Sequence, residues 1–303
     1  MVNALQPISP EATLREIAAA IPAECRENII IIGSLAVGYH YFRDQASMVV
    51  RTKDADCLLS PRVQAIPAGV AVTEKLFEAN WRFRKDGKWS EPGDAETPVG
   101  DLPAVRLHPP GTSEWFLELL VVPESLEDRG MQHTRLETRF GHFDLISLRF
   151  LGLINHDPIK TDLGIWIARP EMMALANLLE HPEIRPETMS GSRVKRSNKD
   201  LGRVLAIARL AVGRDEDTLA TWPGVWKSAL QDRFPDEWCK LAARTGQGLR
   251  ALLNSESDME QALYTCINGL LASSQPALEQ LRIAGRRLLH DAIEPLEAAS
   301  SSL

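Results

Sequence analysis

Leu14, Ile17, Ala18 and Ile21 recur at the spacing of one helix face. Ser9 and Pro10 before them supply the cap and the first-turn proline that start a helix. Ile29 to Ile32 follow as four consecutive β-branched residues, the composition of a strand buried on both faces. Gly33-Ser34 ends that run, and Leu35 to Phe42 returns to a helical pattern. Asp54 to Leu59 reads as a second strand, with a helix around Val72 to Asn80.

Residues 85–103 are rich in Gly, Pro, Asp and Glu and read as a loop or insertion. Val105 to Leu107 and Trp115 to Val122 form a predicted hairpin across His108-Pro109-Pro110-Gly111. Phe143 to Ile146 and Gly164 to Ala168 are shorter strand candidates. From Pro170 the apolar pattern is helical, with breaks at His181-Pro182, Trp222-Pro223 and Gln275-Pro276. Trp222 and Trp226, four apart, read as core on one helix face, and His40 as a packed core residue. The expected class is α+β, with an α/β domain over 1–165 and a helical domain over 166–303.

Composition adds limits. Apolar residues make up 44% and charged residues 25%, ordinary values for a globular chain. No run approaches the ~20 apolar residues of a membrane span, and the N-terminus lacks a basic n-region and an apolar h-region. Cys25, Cys57, Cys239 and Cys266 are scattered, without zinc or disulfide spacing. A cytoplasmic protein with no membrane partner is expected. The net charge of −7 argues against coating nucleic acid by bulk electrostatics. A local exception is the run from Arg193 to Arg203, with Arg193, Lys195, Arg196, Lys199 and Arg203. It reads either as a solvated helix face, where Asp200 can pair with Arg203, or as a phosphate or RNA contact.

Asp54 and Asp56 carry the candidate chemistry. In a strand, alternate residues share a face, so both carboxylates point one way while Ala55 and Cys57 point the other. Two adjacent carboxylates repel unless a cation lies between them, and oxygen ligands suit Mg²⁺ or Mn²⁺. The same pattern also describes an ordinary edge strand with an acidic solvent face. Glu118 lies within an otherwise apolar strand, where a charge needs a partner, a metal or a solvent-facing side. Asp144 is the competing third carboxylate. Gly33-Ser34 sits where backbone N–H groups at a helix start can face a phosphate, or is simply a tight turn.

Together, the apolar strand, Gly33-Ser34, a helix, Arg51-Thr52-Lys53-Asp54-Ala55-Asp56 and a later acidic strand residue resemble the polymerase-beta-like nucleotidyltransferase superfamily. The twenty-residue interval from Ser34 to Asp54 resembles its bacterial abortive-infection toxin branch, whose members place an Arg and a Thr or Ser before the Asp pair. The resemblance extends weakly through Ile167-Ala168-Arg169-Pro170-Glu171 to Lys199-Asp200-Leu201. It implies a nucleotidyltransferase-like mixed sheet in which Asp54, Asp56 and Glu118 hold the metal and are catalytic. It also implies that Gly33, Ser34 and Arg51 contact a nucleoside triphosphate. The lysine usual in the first helix of the second half falls at Asn177, so Lys195 or Lys199 would replace it. The acceptor would be RNA, a protein hydroxyl or a small molecule, and an antitoxin is an implied partner. Asn177, and Glu rather than Asp at 118, support a rival expectation of a catalytically inactive binding protein. A metal-dependent phosphohydrolase is a further alternative.

Overall fold

Ile29–Ile31 forms strand β1, with all three side chains buried as the β-branched run requires. These residues belong to a computed structural model that describes residues 6–45, 47–85, 87–112, 114–128 and 130–301. The described chain divides into a sheet unit, residues 6–47 and 52–169, and a helical unit, residues 48–51 and 170–301. The apolar pattern predicts a boundary near residue 165; the division falls after Arg169, and the short segment 48–51 also belongs with the helices.

The sheet unit opens with helix α1, Pro10–Ala20, in which the Ala12 N–H donates to Ser9 Oγ and Leu14, Ile17 and Ala18 are buried. Helix α2, Gly33–Phe42, begins at Gly33 rather than at Leu35, because the glycine itself makes the turn out of β1. His40 on it is half-buried rather than core, edge-on to Tyr41. Strand β2, Asp54–Leu59, lies antiparallel to β1, with Ile31 opposite Cys57. Helix α3 runs from Arg62 to Glu78, ten residues earlier than its apolar pattern shows. Pro67 and Gly69 weaken the helical signal of that first half. Packing overrides propensity there: a Cβ on Gly69 would meet methyls of Leu59, Leu136 and Leu145 at 3.0–3.7 Å.

The remaining strands of the main sheet are β3 (Arg82–Phe83), β4 (Arg106–His108), β5 (Phe116–Val121), β6 (Gln132–Thr138), β7 (Gly141–Ser147), β8 (Ile159–Lys160) and β9 (Trp166–Ile167). They join β1 and β2 in one nine-stranded mixed sheet, ordered β8-β9-β1-β2-β5-β4-β3. β5 is parallel to β2. Its other edge is shared: β4 pairs with its first half and β7 with Leu120 in its second. The β4–β5 hairpin is the predicted one, and residues 85–103 hold a short 3₁₀ turn at Val99–Asp101 and an antiparallel bridge from Gly93 to His142, Asp86 lying outside the described residues. Strand β6 is the longest strand the apolar pattern missed, beside the two-residue β3 and β8. Within Gln-His-Thr-Arg-Leu-Glu-Thr only Leu136 is buried, and pairing with β7 makes it a strand.

After the short helix α4 (Leu151–Ile154) of the sheet unit, the helical unit contains α5 (Pro170–Glu180), α6 (Arg196–Arg214), α7 (Thr218–Arg233), α8 (Trp238–Arg244), α9 (Gln247–Leu253), α10 (Glu256–Ile267), α11 (Leu278–Leu288) and α12 (Glu294–Ser301). Trp222 and Trp226 are both buried on α7, 5.4 Å apart between ring centroids. Trp226 Nε1 donates to the Glu171 carbonyl at 2.9 Å. Pro223 lies within α7 and does not end it. No helix among the described residues is long and apolar enough to cross a membrane.

Candidate functional site

Strand register decides which side chains meet. Asp54 pairs with Phe116, Asp56 with Glu118 and Cys57 with Leu119 across β2 and β5. Paired residues of neighbouring strands share a face, so Asp54, Asp56 and Glu118 lie on one side while Ala55, Cys57, Leu117 and Leu119 lie on the other. The burial of β2 follows that alternation: both aspartates are half-exposed, whereas Ala55 and Cys57 are buried.

Gly33 brings the start of α2 against this face. Its φ of +72° is a left-handed conformation that favours glycine. A Cβ added there would lie 2.8 Å from Asp56 Oδ2, so any larger residue would displace that carboxylate. The Ile32 N–H donates to the Asp56 carbonyl at 2.9 Å, which carries the β1–β2 ladder to the turn. The positive end of the α2 dipole therefore lies next to the Asp56 carboxylate. Ser34 follows in the first helical turn and is buried. Thr52, itself buried, donates its hydroxyl to Asp54 Oδ1 at 2.5 Å, and the Asp54 N–H turns back to Thr52 Oγ1 at 3.4 Å. One side chain thus orients the first aspartate.

Glu118 has a cation beside it. Arg106, its register partner on β4, places Nη2 2.9 Å from Glu118 Oε1, with 12% of the glutamate side chain exposed. Among the described residues no group of three or more His, Cys, Asp or Glu side chains is gathered closely enough to hold a metal ion. The donor chemistry of the face nonetheless fits a hard divalent ion: its acids offer only oxygens, and two of them are half-exposed. The fit extends to Asp54 and Asp56, with Glu118 turned toward the arginine.

The remaining candidate residues have the following surroundings. Asp144 is on the same sheet face but buried at the β6–β7 hairpin, 2.6 Å from His133 Nδ1, with the Thr134 N–H also donating to it. Burial pushes its carboxyl above the ordinary value, against the pull of His133. Arg51 lies in the helical unit, its N–H donating to the Gly269 carbonyl and its guanidinium 3.5 Å from Asn268 Oδ1. Lys195 also lies there, its ammonium 2.7 Å from Asp258 Oδ1, and Lys199 follows on α6. The basic run is not one face: Arg193 and Lys195 precede the helix, and Arg203 turns toward Asp200 at 3.5 Å. Asn177 spends its amide on its own helix, Nδ2 donating to the Met173 carbonyl at 2.9 Å. Arg106 escaped the sequence reading because only cross-strand register puts it beside Glu118.

No protein-family profile matches this chain, and neither a curated protein nor a solved structure matches it significantly.

Proposed function

We propose that the sheet unit is a metal-dependent nucleotidyltransferase, which moves a nucleotide from a nucleoside triphosphate to an acceptor hydroxyl. The observation that carries this reading is the Gly33 turn, which opens a helix N-terminus against the carboxylate of Asp56 on a face shared with Asp54 and Glu118. Backbone N–H groups of the first α2 turn suit triphosphate oxygens, and Ser34 adds a hydroxyl there. Asp54, oriented by Thr52, and Asp56 would hold Mg²⁺ or Mn²⁺. Bound there, the ion would neutralise triphosphate charge and acidify the acceptor hydroxyl. Glu118 is the third carboxylate on the face and would take the hydroxyl proton or complete the metal site after leaving Arg106. RNA is the acceptor to test first, and an antitoxin-like partner belongs to the same reading.

One observation favours a second reading, an inactive protein of this fold that binds a partner: Glu118 is already neutralised by Arg106. Incubation with each α-labelled nucleoside triphosphate, Mg²⁺ or Mn²⁺ and total RNA separates the two. Catalysis predicts labelled acceptor, lost in Asp56→Ala while the circular dichroism spectrum is retained. The inactive reading predicts no labelled acceptor and no metal-dependent shift in melting temperature on adding triphosphate.

A further inference from the structure

The charged row that contains Glu118 does not stop at Arg106. The Arg84 N–H donates to the Arg106 carbonyl at 2.8 Å, extending the β3–β4 ladder, so Arg84 is the next residue across. Four adjacent backbones therefore present Asp56, Glu118, Arg106 and Arg84 in order on one face, two acids followed by two bases. The neighbouring row continues the trend, from Asp54 through Phe116 and His108 to exposed Arg82. Phe116 is buried, and two guanidinium groups approach its ring: Arg84 at 4.3 Å and Arg106 at 6.0 Å from the centroid.

Like charges opposite one another on paired strands are unfavourable, so such a pair needs compensation. Glu118 compensates one arginine. Among the described residues no carboxylate pairs with Arg84, whose contact is the Phe116 ring. Resting on an aromatic face keeps a guanidinium planar and directed while its N–H edges stay available. Two guanidinium groups held this way suit a planar-fork contact to phosphate oxygens. The two guanidinium groups lie across Glu118 from Gly33-Ser34, so they are not the place the triphosphate would occupy.

We propose that Arg84 and Arg106 form an anion subsite for a phosphate group, and that this phosphate belongs to the acceptor. The assignment to the acceptor rests on the nucleotidyl-transfer reading; the anion site does not. Glu118 competes with the phosphate for Arg106. When phosphate takes the guanidinium, the glutamate is released toward Asp56, so acceptor binding and completion of the carboxylate set are one event. The acceptor is then a phosphorylated molecule with a free hydroxyl, and a neutral one binds poorly.

The test is titration calorimetry of the full chain with inorganic pyrophosphate in EDTA at low salt. The wild type should bind, and Arg84→Gln and Arg106→Gln should each weaken binding about tenfold, the effect of one lost charge-assisted contact. Arg106→Lys should recover only part, because it keeps the charge and loses the fork. Glu118→Gln should tighten binding, a direction that misfolding cannot produce. Equal affinity in wild type and both glutamine variants, or no binding by the wild type, overturns the subsite. A second arm adds Mg²⁺ and a saturating non-hydrolysable triphosphate. Pyrophosphate that still binds supports the acceptor side, whereas complete displacement gives the arginines to the triphosphate and overturns the acceptor assignment. A chain that binds pyrophosphate in EDTA but transfers nothing keeps the subsite and loses the enzyme reading. Transfer with unchanged binding in the arginine variants does the opposite.

Discussion

In the helical unit, Asp200 accepts from His181 Nε2 at 2.8 Å beside Arg203, and Asp258 accepts from Lys195 and Asn198, each at 2.7 Å. In the sheet unit, Asp54, Asp56 and Glu118 share one face, with Arg106 2.9 Å from Glu118 and Arg84 opposite Arg106 on the next strand. Acids matched one by one with local donors hold helices to each other. Three acids grouped on one face concentrate negative potential there, and that field is what the proposed metal and triphosphate would use. The difference separates architecture from site more sharply than burial does, since Glu118 and Asp258 are about equally buried, 9% and 7% exposed.

The strongest way to break this comparison is to remove one acid from each unit. Asp56→Ala should lower metal-dependent transfer by about three orders of magnitude or more, because a metal ligand contributes mainly to transition-state charge. Its folding stability should stay within about 1 kcal/mol of wild type, read by urea denaturation. Asp258→Ala should behave in reverse. Lys195 and buried Asn198 lose their shared acceptor, so stability should fall by roughly 2–4 kcal/mol. Comparable stability losses in the two variants would erase the distinction.

A smaller effect is expected at the turn between them in kind. Gly33→Ala adds both a left-handed strain and a contact with Asp56, at a cost of about 1–2 kcal/mol. Transfer activity should fall more than stability does, because the displaced atom is a proposed metal ligand. Unchanged activity in a folded variant would detach Gly33 from the site.

The smallest effect is in the pH dependence, and its sign differs between acids. Burial works to raise Asp200 and Asp258, but the His181 hydrogen bond with Arg203, and the Lys195 and Asn198 bonds, outweigh it and hold both below the ordinary carboxylate value. Their stabilisation is full above about pH 4 and is lost as pH falls through their folded values. Asp144 is raised by burial, so its charged form penalises the fold near neutrality, and the penalty is relieved as pH falls from its folded value toward the ordinary one. In denaturation series over roughly pH 3 to 6, Asp200→Asn should flatten the acid-side loss. Asp144→Asn should flatten a slope of the opposite sign.

Much of this was legible in order along the chain. The β-branched run, the Gly33-Ser34 break and the alternation in Asp54–Leu59 are local patterns, and each corresponds to an observed element. The shared face of Asp54 and Asp56 follows from strand periodicity alone. What was not legible is non-local. Strand β6 has one buried apolar residue and exists because β7 pairs with it. Arg84 and Arg106 stand beside a Gly- and Pro-rich insertion and look like ordinary surface cations until three backbones are laid in register. The Lys195 contact with Asp258 spans 63 positions, which no motif spacing reports.

The row from Asp56 to Arg84 is held by main-chain hydrogen bonds, so its intervals are set by the strand repeat and not by side-chain choice. Neighbouring strands lie about 4.8 Å apart, which puts the first acid and the last base roughly 14 Å from each other. Such a face works as a ruler. For the proposed reaction it would favour ligands whose cation-binding end and anionic end are separated by two or three strand widths, and shorter ones would satisfy only one end at a time. Changing the preferred length would take a new strand or a lost one. Substitutions at the four positions change how strongly the ruler grips but leave its gradations alone.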